Sequence, residues 1–210
     1  MQSTSRQSQN LINRLMLQRI KRQQCLDRYP KFPLRHYDKF SDEEIFTYPK
    51  TAAQYWLRLE AKTRVQLTKV LVSEIVKLYR SLNIVRLIFL CDADTTWITR
   101  NSYKRTDLKQ VIKAVEYLKA NKIGVRFNGG VIVEMSELTE FLAHFYVLTR
   151  TDALFSYYSF MDERQSIIGY IHYDGEVKIN PINEDANTKF LSAVINTGFI
   201  DAHRNYTDRI

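Results

Sequence analysis

Two carboxylates follow a strongly apolar run in the middle of the chain. Residues 87–90 read Leu-Ile-Phe-Leu, and after Cys91 come Asp92 and Asp94, separated by one alanine and followed by two threonines. A carboxylate at the end of a buried strand can act as a nucleophile, and hard oxygen donors suit Mg²⁺. Phosphoryl chemistry is therefore the first reaction class to weigh.

The D-x-D-x-T pattern of residues 92–96 resembles the first motif of the haloacid-dehalogenase-like phosphohydrolases. The resemblance implies that Asp92 attacks phosphorus, that Asp94 acts as acid and base, and that Mg²⁺ helps to hold the site. The sequence departs from that family at Thr95 and Trp97, where a glycine and an aliphatic residue are usual. The family also needs a downstream lysine and a later acidic cluster at the end of a parallel strand.

A turn between two strands explains the same residues more simply. Asp is frequent in turns because its side chain hydrogen-bonds to nearby backbone. Strand-forming runs flank the motif at residues 84–90 and 95–99. We therefore predict a turn and no catalytic residues, no cofactor and no metal, and keep a Mg²⁺-dependent phosphohydrolase as the less favoured alternative. The four histidines, at positions 36, 144, 172 and 203, have no metal-ligand spacing.

Positive charge is concentrated at the start of the chain. The formal net charge is +8, and residues 1–40 contain nine basic and two acidic residues, a charge of +7. Residues 10–26 also have helical periodicity, with apolar residues on one face and basic residues on the other. This asymmetry predicts an anionic partner, contacted by a basic amphipathic arm. The predicted contact residues are Arg14, Arg19, Lys21, Arg22 and Arg28, with a weaker second group of Lys104, Arg105 and Lys109.

The elements that position these residues predict an α+β fold. Apolar periodicity without glycine or proline indicates one long helix at about residues 51–82. Hairpins alternate with helices over residues 84–198, including a hairpin centred on Asn128-Gly129. This alternation favours an antiparallel sheet of hairpins with helices on one face. We predict a basic arm and linker at residues 1–40 and a single domain at residues 41–210.

These features predict a non-enzymatic binding or assembly protein. Its partner is a nucleic acid or an acidic protein surface, in a ribonucleoprotein or other large complex. The competing hypothesis is a protein–protein module of inhibitor or immunity type, whose interface contains Tyr157, Tyr158, Tyr170 and Tyr173. The sequence contains no apolar run long enough to cross a membrane. We expect a cytoplasmic protein with both cysteines as free thiols, or a mitochondrial one if residues 1–26 act as a targeting segment.

Overall fold

The computed structural model describes residues 17–202. Eight of the strands in this range form one sheet in the order β1-β6-β5-β7-β8-β9-β4-β10, and all neighbouring strands are antiparallel. β2 and β3 form a separate two-stranded hairpin. The strands are β1 (Gln18–Ile20), β2 (Leu34–Asp38), β3 (Glu43–Thr47), β4 (Tyr55–Arg58), β5 (Arg86–Cys91), β6 (Gly130–Glu134), β7 (Tyr158–Asp162), β8 (Ile167–Ile171), β9 (Val177–Pro181) and β10 (Ile200–Asp201).

The longer helices cover one face of the sheet. The helices of the described range are α1 (Arg22–Arg28), α2 (Arg64–Ser81), α3 (Arg100–Lys104), α4 (Lys109–Ala120), α5 (Leu138–Thr151) and α6 (Glu184–Val194), with a 3-10 turn at Ala153–Tyr157. Apolar residues of α2, α4, α5 and α6 join alternate residues of the central strands, such as Leu87 and Phe89, in the main core. The predicted α+β class is confirmed.

The opposite face of the sheet carries a smaller core built by the N-terminal residues. Cys25, Tyr29 and Phe32 are buried there against strand residues such as Ile88 and Ile132. β1 also extends the sheet by pairing with β6. Residues 17–32 therefore pack on the domain, whereas the separate arm and linker expected over residues 1–40, of which residues 1–16 lie outside the described range, stay a prediction. The predicted helix at 10–26 is wrong at residues 18–20, which form a strand, and its residues 10–16 lie outside the described range.

The predicted long helix is also shorter than its apolar pattern indicates. β4 occupies residues 55–58 within it, and α2 begins only at Arg64. The side chain of Thr63 accepts a hydrogen bond from the amide of Gln66 at 3.2 Å, which caps the first turn of α2. The helix prediction of about residues 51–82 is therefore correct from Arg64 and wrong before it.

Two predicted strand pairings in the middle of the chain are absent from the described residues. No strand forms at 95–99, because residues 92–99 lead from β5 into α3. No hairpin forms around Asn128-Gly129 either; β6 instead pairs with β5 and β1. The loop before β6 instead hydrogen-bonds to residues 92–99, since the Trp97 amide donates to the Phe127 carbonyl at 2.9 Å. The Trp97 indole donates to the Gly129 carbonyl at 2.8 Å.

The C-terminal half follows its prediction more closely. β7, β8 and β9 form successive hairpins, and α6 follows them. Phe160 of β7 lies opposite Gly169 of β8, where a Cβ atom would come within 2.2 Å of the Phe160 ring. The glycine therefore makes room for a large core side chain. None of the helices between residues 17 and 202 combines the length and apolar composition needed to cross a membrane.

Candidate functional site

Asp92 of the D-x-D motif is buried in an ion pair. Its Oδ2 lies 3.3 Å from the Nε of Arg35, and the two side chains are 6% and 9% exposed. Burial raises the pKa of Asp92, and the opposing effect of Arg35 is smaller. The guanidinium also bonds to Glu44 at 2.7 Å, so Arg35 joins the β2–β3 hairpin to the end of β5. Asp92 has the geometry of a structural ion pair.

The second carboxylate of the motif points elsewhere. Asp94 is exposed and accepts a hydrogen bond from the side-chain Nδ2 of Asn128 at 2.7 Å. β5 runs antiparallel to both of its neighbours. The buried acid Asp162 pairs in register with Leu87, at the far end of β5 from Asp92, and accepts backbone hydrogen bonds from Arg164, Ser166 and Ile167. This arrangement differs from the parallel-strand acidic cluster that the resemblance requires.

The N-terminal basic residues do not share one surface. Arg14 lies outside the described range, and Lys21 is exposed just before α1. Arg22 points inward and donates hydrogen bonds to the carbonyls of Cys91 and Asp92, at 2.9 and 3.0 Å. Arg28 is exposed on the face of the sheet opposite the long helices. The described members of the predicted set are therefore divided between the interior and the surface.

Arg19 lies on the helical side of the molecule. Its guanidinium donates to the carbonyl of Lys122 at 2.7 Å and lies over the ring of Phe127, 5.9 Å from the centroid. The amide of Leu17 donates to the side chain of Asn121 at 3.2 Å. The N-terminal strand therefore brings one predicted arginine to the C-terminal end of α4.

That second group belongs to a larger cationic surface, which we call the α3–α4 surface and define as Arg19 with residues 100–126. Residues 100–126 contain eight basic and two acidic residues, a formal charge of +6. All ten are exposed. The other described residues contain 19 basic and 20 acidic residues, a charge of −1. The basic residues of the surface are Arg19, Arg100, Lys104, Arg105, Lys109, Lys113, Lys119, Lys122 and Arg126.

The position of α4 follows from its amphipathic sequence. Val111, Ala114, Val115 and Leu118 are buried in the main core. Residues 109, 113, 116 and 119 lie on the opposite, exposed side of the helix, three or four positions apart. Because one side of α4 is buried, the other side directs three lysines, with Glu116 among them, toward solvent.

Buried polar contacts attach α3 to the C-terminal end of α5, and a surface contact joins it to α4. The hydroxyls of Thr99 and Ser102 both donate to the buried carboxylate of Asp152. The Nζ of Lys119 lies over the ring of Tyr103, 4.2 Å from its centroid, which joins the two helices at the surface. The predicted residues Lys104, Arg105 and Lys109 are all exposed here, and Arg105 is paired with Asp107 at 3.4 Å.

The tyrosines proposed as a sheet interface do not share one exposed face. Tyr158 is fully buried in the helical core. Tyr157 is half-buried beside the main core, Tyr170 is half-buried on the opposite face of the sheet, and Tyr173 is exposed at a turn. Burial raises the pKa of Tyr170 to about 12. A common docking surface made of these four residues is therefore not present.

The face that carries Tyr170 is a tightly packed mixture of rings and charges. Trp56, Lys178 and Tyr170 lie directly opposite one another on β4, β9 and β8. The Nζ of Lys178 lies 5.6 Å from the ring centroids of both Trp56 and Tyr48. Only 7% of Lys178 is exposed, so this cation belongs to the packing of the sheet and offers little charge to a visiting partner.

Between residues 17 and 202, one group of side chains could hold a metal ion. His172, Asp174 and Glu176 each offer one ligand atom, and these atoms lie within 4.8 Å of one another at the β8–β9 turn. The spacing of the histidines alone did not predict this group, because its other two donors are carboxylates. The alternating H-x-D-x-E spacing at a tight hairpin turn was the signal that would have revealed the group.

Sequence reasoning also missed most of the α3–α4 surface. The signal was present, because residues 100–126 carry +6 while the chain as a whole carries +8. The charge count along the sequence favoured residues 1–40, because it included Arg22 and Arg35, which point into the molecule.

Comparisons of the chain with protein-family models, with curated proteins and with solved structures gave no match.

Proposed function

We propose that the protein binds nucleic acid through the phosphate backbone, using the α3–α4 surface. The observation that supports this most strongly is the concentration of charge. Residues 100–126 carry +6, all of their charged side chains are exposed, and the other described residues carry −1. A dense cationic surface attracts polyanions over a distance and releases counterions on contact. This proposal moves the main contact from the N-terminal residues to Arg19, Lys104, Arg105, Lys109 and their neighbours.

The spacing of the lysines favours an extended polyanion over a compact anion. Lys109 and Lys119 are ten residues apart on one helix, which is about 15 Å along its axis. Lys122, Arg126 and Arg19 continue the positive surface beyond the end of α4. A nucleic acid strand presents phosphates at regular intervals over this length, whereas a small anion would be contacted at one point only.

The chemistry of the side chains favours backbone contact without sequence readout. Five of the eight basic residues between 100 and 126 are lysines, which act as flexible point charges. Lys104, Lys109 and Lys113 have no ion-pair partner at 4.0 Å or less among the described residues. Such side chains neutralise phosphates but discriminate poorly between bases. We therefore expect similar affinity for duplexes of different sequence.

The test is a charge reversal on α4 with a matched control elsewhere. In the first variant Lys109, Lys113 and Lys119 are changed to Glu. In the second, Lys62, Lys69 and Lys189 are changed to Glu, which alters the net charge equally on exposed positions outside the surface. Fluorescence anisotropy with a labelled duplex of about 20 base pairs measures binding at low salt, where backbone contacts are strongest.

We expect the α4 variant to lose at least about 30-fold in affinity, since each of three phosphate contacts becomes a repulsion. The control variant should lose no more than about threefold, through the general change in net charge. Equal losses in the two variants would contradict the proposal, because they would assign binding to overall charge. Circular dichroism spectra of both variants verify that the fold is retained.

A further inference from the structure

We propose that His172, Asp174 and Glu176 form a binding site for a first-row divalent metal ion, with Zn²⁺ as the best-matched ion. The site is separate from the α3–α4 surface and does not depend on nucleic acid binding. The three residues alternate around the turn between β8 and β9. Their ligand atoms already lie within 4.8 Å of one another.

The geometry requires only small side-chain movements. Tetrahedral ligands at about 2.0–2.1 Å from Zn²⁺ stand about 3.3 Å from one another. The Nδ1 of His172 and the Oδ1 of Asp174 are now 2.7 Å apart, in direct contact. Metal binding must separate this pair by less than 1 Å and draw the more distant carboxylate inward, which rotations about side-chain bonds accomplish.

The backbone of the turn is well fixed for such a site. The amide of His172 donates to the carbonyl of Glu176 at 2.8 Å, and the amide of Gly175 donates to the carbonyl of His172 at 3.0 Å. Gly175 has a φ of +98°, which an L-residue side chain would oppose. The Tyr146 hydroxyl contacts the Tyr173 carbonyl at 3.5 Å, so helix α5 supports the turn from below.

The donor set favours zinc over the hard cations. One imidazole nitrogen and two carboxylates suit Zn²⁺, whereas Mg²⁺ prefers oxygen ligands alone. Two carboxylates also balance the charge of a divalent ion. Three protein ligands leave a fourth position for water or another donor, which is the arrangement found in open zinc sites.

The surroundings of the site give a built-in reporter. The ring of Trp56 lies edge-on to His172 with centroids 6.3 Å apart, and the ring of Tyr173 lies 4.2 Å from it. The second tryptophan, Trp97, is buried in the helical core against Phe141 and Tyr158. Any change in tryptophan emission on metal binding should therefore come from Trp56 and disappear in Trp56→Phe.

The test is a calorimetric titration of the full-length protein with Zn²⁺ at pH 7.5, after removal of bound metal with a chelator. We expect one Zn²⁺ per chain and at least tenfold weaker binding in His172→Ala and in Glu176→Gln. Asp174→Asn, at an exposed turn position, is a further variant that should fold and show the same loss. Mg²⁺ should bind at least 100-fold more weakly than Zn²⁺.

The controls are His144→Ala and Asp185→Asn, which remove an imidazole on α5 and a carboxylate on α6. Both should bind Zn²⁺ within twofold of the parent protein. Retention of full affinity in His172→Ala and Asp174→Asn would overturn the site, as would the absence of Zn²⁺ binding by the parent protein at 1 mM metal. Weaker binding in the controls than in the site variants would also overturn it.

Discussion

Arg35 is a buried cation whose charge is used inside the molecule. Its guanidinium bonds to Asp92 and Glu44 and lies over the rings of Tyr157 and Phe46, 4.7 and 5.2 Å from their centroids. Burial alone would lower the pKa of Arg35, but the two carboxylates outweigh it and raise the pKa. The residue therefore stays charged and acts as an internal link between the β2–β3 hairpin and β5.

This ion pair predicts different consequences for the two aspartates of the D-x-D motif. Asp92→Ala should lower the free energy of unfolding by about 3 kcal/mol, because it leaves a buried guanidinium without its main counter-charge. Asp94→Ala should change it by no more than about 0.5 kcal/mol, because that side chain is 71% exposed. Urea denaturation measures both. Equal effects of the two substitutions would show that Asp92 has no special structural role.

The two thiols should respond to alkaline pH. Burial raises the pKa of Cys25 and of Cys91 to about 12, from an ordinary value of 9.0. Between about pH 9 and pH 12 the unfolded chain loses these protons while the folded chain keeps them, so the stability that they contribute falls as pH rises through this range.

We therefore expect neither thiol to react with Ellman's reagent in the native protein at pH 8, and both to react in denaturant. The free energy of unfolding, measured in urea, should decrease between pH 9 and pH 11. It should decrease less steeply in Cys91→Ala. Rapid reaction of either thiol in the native protein would contradict the burial described here.

At the scale of the elements, the turn between β8 and β9 leaves no room for a side chain at Gly175. Gly175 has a positive φ, and a Cβ atom there would lie 2.8 Å from the Tyr146 hydroxyl and 2.9 Å from Leu67. Both strain and contact therefore oppose a side chain at this position. The turn holds the three proposed metal ligands, so its shape matters beyond stability.

Gly175→Ala should lower the free energy of unfolding by about 2 kcal/mol, through backbone strain and the clash with Tyr146. Gly124→Ala is the matched control, because no atom lies within 4 Å of its added Cβ. The control should stay within about 0.5 kcal/mol of the parent protein. Thermal and urea unfolding measure the two effects. A similar loss of stability in Gly124→Ala would contradict this explanation, because it would show that the cost of Gly175→Ala does not come from the strain and the clash at this turn.

Elements with a strong repeating pattern were predictable from the sequence, and short or edge elements were not. α4 follows from its apolar stripe, and the β7–β9 hairpins follow from strand runs separated by turn residues. β1 and β4 contain three and four residues, too few to show a period of two. The Asn128-Gly129 pair favours a hairpin locally, but its backbone instead bonds to the loop that contains Trp97.

At the scale of the whole molecule, the charge of each segment was predictable, but which of the charges face solvent was not. The linear count assigned +7 to residues 1–40 and +1 to the rest. In the fold, Arg22 and Arg35 face inward, whereas the eight basic residues between 100 and 126 are exposed. Only three-dimensional packing separates the exposed charges of residues 100–126 from those used inside the domain.

The salt dependence of duplex DNA binding tests the central claim most directly. If about five phosphates contact the α3–α4 surface, a plot of log association constant against log salt concentration should have a slope of about −4.5. In the variant with Glu at positions 109, 113 and 119 the slope should fall in magnitude by about 2.7, which corresponds to three lost contacts. A slope that is unchanged in this variant, or a slope near zero in the parent protein, would contradict the account.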